Sequence, residues 1–351
     1  MSPVLLSRVV KVGLLLFGLV TLIGLVVHIG PEQVYRAVAS LGVVGMAVMF
    51  VPSILMYLLD CLGWRFTLGQ HKAAAPFSRL FVIRTAGELV NATTPAAYVG
   101  GEPLKAHLLK QYGIPLVDGF ASVIVAKTAM TIGQIIYILL GIGLGVWILF
   151  PSGSTDAGRD VILAAALSLG LLLFGTALFI LIQRQGLFTF LFAVLGRCRI
   201  RVAPLEARRE RLLALDTSIR GFYAHARAPF FFSTTAFLFG WLMEAMEVYV
   251  ILLYLGEPID LLTALSIDAL CTLIKSGSFF IPGSVGAQEA GNLLLLRAFG
   301  YGDVTGMTFA LLRRVRELVW VAIGLGCLAM MRGRQAEAVA GKSETTVALE
   351  P

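Results

Sequence analysis

Apolar residues run along this chain in long blocks, with polar and charged residues gathered between them. The blocks extend from about Val12 to Ile29, Gly42 to Trp64, Val117 to Phe150, Val161 to Ile182, Pro229 to Leu255 and Val304 to Met331. Each is near or above the roughly 20 residues that an α-helix needs to cross about 30 Å of hydrocarbon. None alternates with period two, which argues against an outer-membrane barrel. The pattern predicts a spanning helix for each block. The block from Val117 is longer than one crossing needs and contains Lys127, so a tilted helix, or one broken near Lys127, is expected there.

Two further apolar regions, 80–116 and 261–300, are interrupted. The first contains ELVNATTPAAYVGGEPLKA (Glu88 to Ala106), the second SGSFFIPGSVGAQEAGN (Ser276 to Asn292). Pro95 is followed seven residues later by Glu102, and Pro282 seven residues later by Glu289; Glu88 and Lys275 stand seven residues before their prolines. Proline removes a backbone donor and clashes with the preceding turn. Gly100 and Gly101 in one break, and Gly283 and Gly286 in the other, tolerate the dihedrals of a tight return. The freed backbone groups cannot face lipid, so they must face protein or a wet cavity. The arms of the first region, about Leu80 to Thr94 and Leu104 to Leu116, are short for a crossing.

The flanks set direction. Arg8 and Lys11 precede the first block, and Arg65, Lys72 and Arg79 follow the second, which places these segments in the cytoplasm by the excess of base. Nine arginines against three acids lie between Arg184 and Arg227, marking 184–228 as a cytoplasmic loop, partly helical at the membrane surface. The segments PSGSTDAGRD, GEPID and YGDVTG are then external. On this topology the first broken hairpin dips in from the cytoplasm and the second from outside. The fold class read from the chain is an all-α polytopic membrane protein, with about six full spans and two re-entrant broken hairpins in an inverted-topology repeat. The repeats are 1–150 and 151–331, and 332–351 is a polar cytoplasmic tail expected to be disordered. Both termini are cytoplasmic in a cell membrane. The block after Arg8 resembles a signal peptide at its start, but no small-residue cleavage site follows HIGPEQ, so it is read as an anchor.

Composition agrees. The 351 residues are 58% hydrophobic and 14% charged, with mean hydropathy +0.87, whereas soluble domains are about 45–50% apolar and about 25% charged. The net charge of +7 sits in cytoplasmic loops, so it speaks for topology rather than nucleic acid, and the arginine-rich loop could also touch anionic headgroups. Cys61, Cys198, Cys271 and Cys327 are dispersed and read as apolar filling, and the four scattered histidines suggest no metal site.

A charge at the bilayer centre costs about 2.5–3.5 kcal/mol even on the lenient scale, so each buried charge calls for a reason. Glu88 and Asn91 share a helical face; they line a cavity and meet a headgroup, or Asn91 caps the break while Glu88 pairs with a buried base. Glu102 and Lys105 bind a headgroup at the cytoplasmic mouth, or form a water-exposed salt bridge at the hairpin end. Glu289 is the counterpart of Glu102. Lys127 and Lys275 can each neutralise a buried carboxylate. Arg313 and Arg316 supply planar donors suited to phosphate, or Arg313 closes an ion-pair lock with Glu317 one turn on. Glu244, Glu247 and Asp268 read as partners for these bases, with a proton relay as the other reading of the two glutamates. The expected headgroup-contacting set is Glu88, Asn91, Glu102, Lys105, Lys127, Lys275, Glu289, Arg313 and Arg316. No H-E-x-x-H, G-x-S-x-G or P-loop occurs, so no catalytic residue, cofactor or metal ligand is assigned and the chain is not read as an enzyme.

GELVNATTPAAYVGGEPLKAHLL, IPGSVGAQEAG and LLRRVRELVW resemble the signatures of the flippase-like integral membrane family that includes the transmembrane region of lysylphosphatidylglycerol synthases. The likeness covers about residues 10–331, and VGAQEAG with RRVRE is most similar to hopanoid-biosynthesis-associated members. It implies movement of a lipid between leaflets, and it marks Glu88, Asn91, Pro95, Gly100, Gly101, Pro282, Gly283, Gly286 and Glu289 as family positions. The synthases' soluble transferase domain has no counterpart after Arg332. Three functions are therefore weighed: a translocase for a lipid or polyprenyl- or hopanoid-type molecule, a membrane enzyme modifying a lipid headgroup or polyprenyl phosphate, and a non-transporting lipid-binding partner of a lipid-biosynthesis enzyme. Membrane lipids are the expected partners; oligomeric state is not readable.

Overall fold

A computed structural model describes residues 31–93, 100–149, 167, 170, 173–183, 186–197, 206–277 and 287–347. Every regular element among them is helical. Helix α1 (Pro31–Thr67) bends at Gly42, whose φ of 68° suits glycine. Helices α2 (Phe77–Thr93) and α3 (Gly101–Leu109) follow, then α4 (Leu116–Leu149). After α5 (Leu173–Gln183) and α6 (Leu187–Arg197) come α7 (Arg209–His225) and α8 (Arg227–Tyr254). The chain continues through α9 (Leu261–Gly277) and α10 (Ala287–Ala298) to α11 (Asp303–Val347).

Three described helices are long and apolar enough to cross a membrane: Ala39–Thr67, Leu116–Ile148 and Arg227–Tyr254. They match three of the expected blocks. The block from Val12 and the first part of the block from Val161 lie outside the described residues, as do Pro95, Pro282, Gly283 and Gly286. What is described are the helices on either side: α2 ends at Thr93 and α3 begins at Gly101, while α9 ends at Gly277 and α10 begins at Ala287. The break expected near Lys127 is absent. Helix α4 runs unbroken for 34 residues, because the Lys127 ammonium reaches sideways to Glu102 at 3.4 Å and needs no change in its own backbone. Helix α11 continues past Met331 to Val347, into the tail whose composition predicts disorder.

Each interrupted pair folds back on itself. In the first, Asn91 and Gly87 meet Gly101 near the break, while Leu80 and Ile83 share a buried core with Leu108 and Leu109. In the second, Ile274 meets Gly291, and Ile267 and Leu270 share a core with Leu295 and Leu296. The two cores lie at opposite ends of the same three spans. Helix α1 gives Met49 to the core of the second hairpin and Cys61 and Trp64 to that of the first; α4 gives Ile138 and Val123, and α8 gives Ile251 and Phe237, in the same order.

The packing map keeps its form when α1 is exchanged with α8, α2 with α9, α3 with α10 and α4 with α11. Helices α1 and α8 pack on each other most extensively; α4 packs on α9, and α11 on α2. Both of these crossings use a glycine for close approach: a Cβ on Gly141 would stand 2.1 Å from Ala269 Cβ, and one on Gly324 2.8 Å from Leu89 Cβ.

At the start of α9, Asp260 accepts the N–H of Leu262 (2.8 Å) and of Thr263 (3.0 Å) and the Thr263 hydroxyl (2.6 Å). The Thr263 bonds above all hold its carboxyl below the ordinary range. The cap is therefore complete above the ordinary Asp pKa and fades as pH falls through the lower folded value. Asp260→Ala is expected to lower stability by about 1 kcal/mol, read as a lower thermal midpoint in detergent that merges with the wild-type midpoint in acid.

Candidate functional site

Between the two apolar cores lies a cavity of about 400 Å³. Six helices converge on it: α1 through Asp60, α2 through Arg84 and Glu88, α4 through Lys127, α8 through Glu244, α9 through Lys275, and α11 through Arg314 and Glu317. The volume is within the range of about 300–1,000 Å³ typical of small-ligand sites.

The charges of the wall are paired with one another or with groups just behind it. Around the first hairpin, Lys105 Nζ lies 2.6 Å from Glu88 Oε1 and 3.5 Å from Glu102, and Lys127 also meets Glu102. Asp60 pairs with Arg84, whose guanidinium lies over the Tyr57 ring at 4.8 Å. Asn91 joins the arms of this hairpin: its Oδ1 accepts the Gly101 N–H at 2.7 Å while its Nδ2 donates to Glu88 at 3.4 Å. Around the second hairpin, Lys275 meets Glu317 at 3.0 Å, and Arg314 meets Glu289 at 2.5 Å and Glu317 at 2.6 Å. On the α8 side, Arg316 lines the cavity and holds Glu247, Arg313 holds Asp268 at 2.6 Å and the cavity-lining Glu244 at 3.4 Å, and the Tyr137 hydroxyl donates to Asp268 at 2.7 Å.

The exchange seen in the packing recurs in these side chains. Each glutamate seven residues after a proline pairs with a base on the last long helix of its own half, Glu102 with Lys127 and Glu289 with Arg314. Each half also joins the other through a stacked Tyr–Trp pair. Tyr57 of α1 stacks on Trp320 of α11 with ring centres 3.5 Å apart, and Tyr137 of α4 stacks on Trp241 of α8 at 6.2 Å.

The family model for the lysylphosphatidylglycerol synthase TM region matches residues 9–326. The chain belongs to that family. A relative described as a UPF0104 membrane protein, from Methanothermobacter thermautotrophicus, is 23% identical over 326 residues, covering 90% of this chain and 94% of that protein. No solved structure matches. As a member of the lysylphosphatidylglycerol synthase TM-region family with apolar spanning helices, the chain is a multi-pass membrane protein.

In this family member, Glu88, Lys127, Lys275 and Arg316 line the cavity, whereas Asn91, Glu102, Lys105, Glu289 and Arg313 stand behind them in the hydrogen-bond and ion-pair contacts of the wall. Two expectations need correction. The Glu102–Lys105 contact is not exposed to water: the side chains are 14% and 8% exposed, because α3 folds back on α2 and encloses them. The lock along α11 joins Glu317 to Arg314 rather than to Arg313, since Arg313 and Arg316 point toward α8 and α9. Asp60 and Arg84 were missed, although each is a lone charge in an apolar run, the same signal that marked Lys127. Gln134, which donates to the Ser276 hydroxyl at 3.0 Å across α4 and α9, carries no such signal. Among the described residues, no group of three or more His, Cys, Asp or Glu side chains is arranged to hold a metal ion.

Proposed function

We propose that the chain is a lipid carrier rather than an enzyme, moving a membrane lipid between leaflets by passing its headgroup through the central cavity while the hydrocarbon tails stay in the bilayer. The observation that carries this reading is a roomy, charge-lined cavity placed between two interrupted helical hairpins at opposite ends of the spans. Such a site at the middle of an inverted repeat is what alternating access requires, and the packing that survives exchange of the halves supports the repeat. In this reading the N- and C-termini are cytoplasmic, the first hairpin enters from the cytoplasm, and the host is the cell membrane.

A phosphate-bearing headgroup suits the wall. Arg84 is 6% exposed and its Nη1 has no hydrogen-bond partner. A guanidinium donor left open beside the cavity is matched to a phosphate oxygen. Lys127, 38% exposed, supplies a nearby flexible cation.

The test is reconstitution into liposomes containing fluorescent phosphatidylglycerol, phosphatidylethanolamine or a polyprenyl phosphate, with crossing followed by quenching of the outer-leaflet label. At least one lipid is expected to cross faster than in protein-free vesicles. Ala92, exposed on the cavity wall, provides a plug. Ala92→Trp is expected to return crossing to the protein-free rate while leaving the protein monodisperse. If no lipid crosses faster than in empty vesicles, or if the plug has no effect, the reading fails.

A further inference from the structure

The buried charges sort into three groups, and their stoichiometry differs. At the first hairpin, three acids (Asp60, Glu88 and Glu102) face three bases (Arg84, Lys105 and Lys127). At the second, two acids (Glu289 and Glu317) face two bases (Arg314 and Lys275). On the α8 side of the cavity, three carboxylates (Glu244, Glu247 and Asp268) share, among the described residues, two bases, Arg313 and Arg316. The chain between the hairpin arms, 94–99 and 278–286, contains no charged residue.

The surplus has a location. Asp268 uses both oxygens, one on Arg313 and one on the Tyr137 hydroxyl. Glu247 is fully buried, with Oε2 on Arg316 and Oε1 without any hydrogen-bond partner. Glu244 is the loosest member, 3.4 Å from Arg313 and 3.9 Å from Arg316, and it alone of the three lines the cavity. Glu244 and Glu247 lie three residues apart on α8, hence on one face.

An uncompensated carboxylate deep in apolar surroundings is strongly disfavoured and takes up a proton instead. We infer that the Glu244–Glu247 pair is a proton-binding site that exchanges with the cavity. A proton on the pair brings the group to zero net charge; its release through Glu244 leaves one negative charge facing the cavity. Among the described residues, the neighbouring helices supply no base beyond those already matched to an acid in the first two groups. Helix α1 presents Tyr57 and Asp60, α2 presents Arg84 and Glu88, α4 presents Tyr137 and Lys127, and α9 presents Asp268, the Cys271 thiol beside Arg313, and Lys275; Arg84, Lys127 and Lys275 each face an acid of a balanced group. From α11 come Arg313 and Arg316, already counted, and Arg314 and Glu317, which belong to the balanced group at the second hairpin.

As the ion that drives lipid movement, this proton rests on the function proposed above; its presence does not. The test therefore reads protonation directly. Infrared difference spectra of the full chain in nanodiscs, recorded between neutral and alkaline pH, are expected to show the carbonyl stretch of one protonated carboxylic acid. Glu247→Gln, which mimics the protonated form, is expected to abolish the band, and so is Glu244→Gln at the cavity wall. Glu289→Gln, in a balanced group, is expected to retain it. Absence of the band in the wild type, its survival in both α8 variants, or its loss in Glu289→Gln would overturn the assignment. If the band behaves as expected while liposomes move no lipid, the proton site stands and the carrier reading falls.

Discussion

Arg313→Met is expected to remove most of the folded protein. The guanidinium is 4% exposed and holds Asp268 at 2.6 Å and Glu244 at 3.4 Å. Methionine fills a similar volume with no charge, and Arg316 is then left as the sole base among three buried carboxylates. Removing one partner of a buried ion pair costs about 3–5 kcal/mol, while domains of ordinary size are stable by about 5–15 kcal/mol. The measurement is the monodisperse fraction and thermal midpoint of a fluorescent fusion in mild detergent. Asp268→Asn in the same chain deletes one of the stranded charges and is expected to recover much of the loss. An Arg313→Met protein as stable as the wild type would show that this cluster does not hold the helices together.

The second large effect is expected at Gly101→Ala. A Cβ there would lie 2.1 Å from the Gly87 carbonyl oxygen and 2.8 Å from Asn91 Oδ1. The closer obstacle is backbone, so no rotamer change relieves it; α3 must move away from α2. That movement also breaks the bond from the Gly101 N–H to Asn91 and shifts Lys105 from Glu88. Overpacking of this kind costs about 1–3 kcal/mol, with the broken polar contacts in addition. Gly143→Ala is the control: the site has nothing within 4 Å, and alanine in a helix interior is favoured over glycine by roughly 0.5–1 kcal/mol. The first variant should lose thermal stability and the second should hold or gain it.

The long helices and both interruptions were legible in the chain because each depends on local composition. Apolar length alone locates α1, α4 and α8, and the clustering of proline and glycine locates the gaps after Thr93 and Gly277. Which charges meet was much less legible. Asp60 and Arg84 are 24 residues apart, and nothing in either local run announces the other. Tyr57 and Trp320 stack from opposite ends of the sequence and read as ordinary apolar-block aromatics. Periodicity correctly put Arg313 and Glu317 on adjacent turns, yet the arginine turned to α8 and α9, because buried carboxylates on other helices compete with a local partner. Lys127 misled in the other direction: a charge inside an apolar block suggests a broken helix only while its partner is unknown.

The apolar packing of the hairpins has a consequence for motion. Each helical hairpin is seated in its own oily bed, one at either extremity of α1, α4 and α8. Loosening one bed leaves the contacts of the other untouched, so under the carrier function proposed above the two doors have separate latches. A substitution among Leu80, Ile83 and Leu108 would then ease opening on one side alone, and one among Ile267, Leu295 and Leu296 on the other.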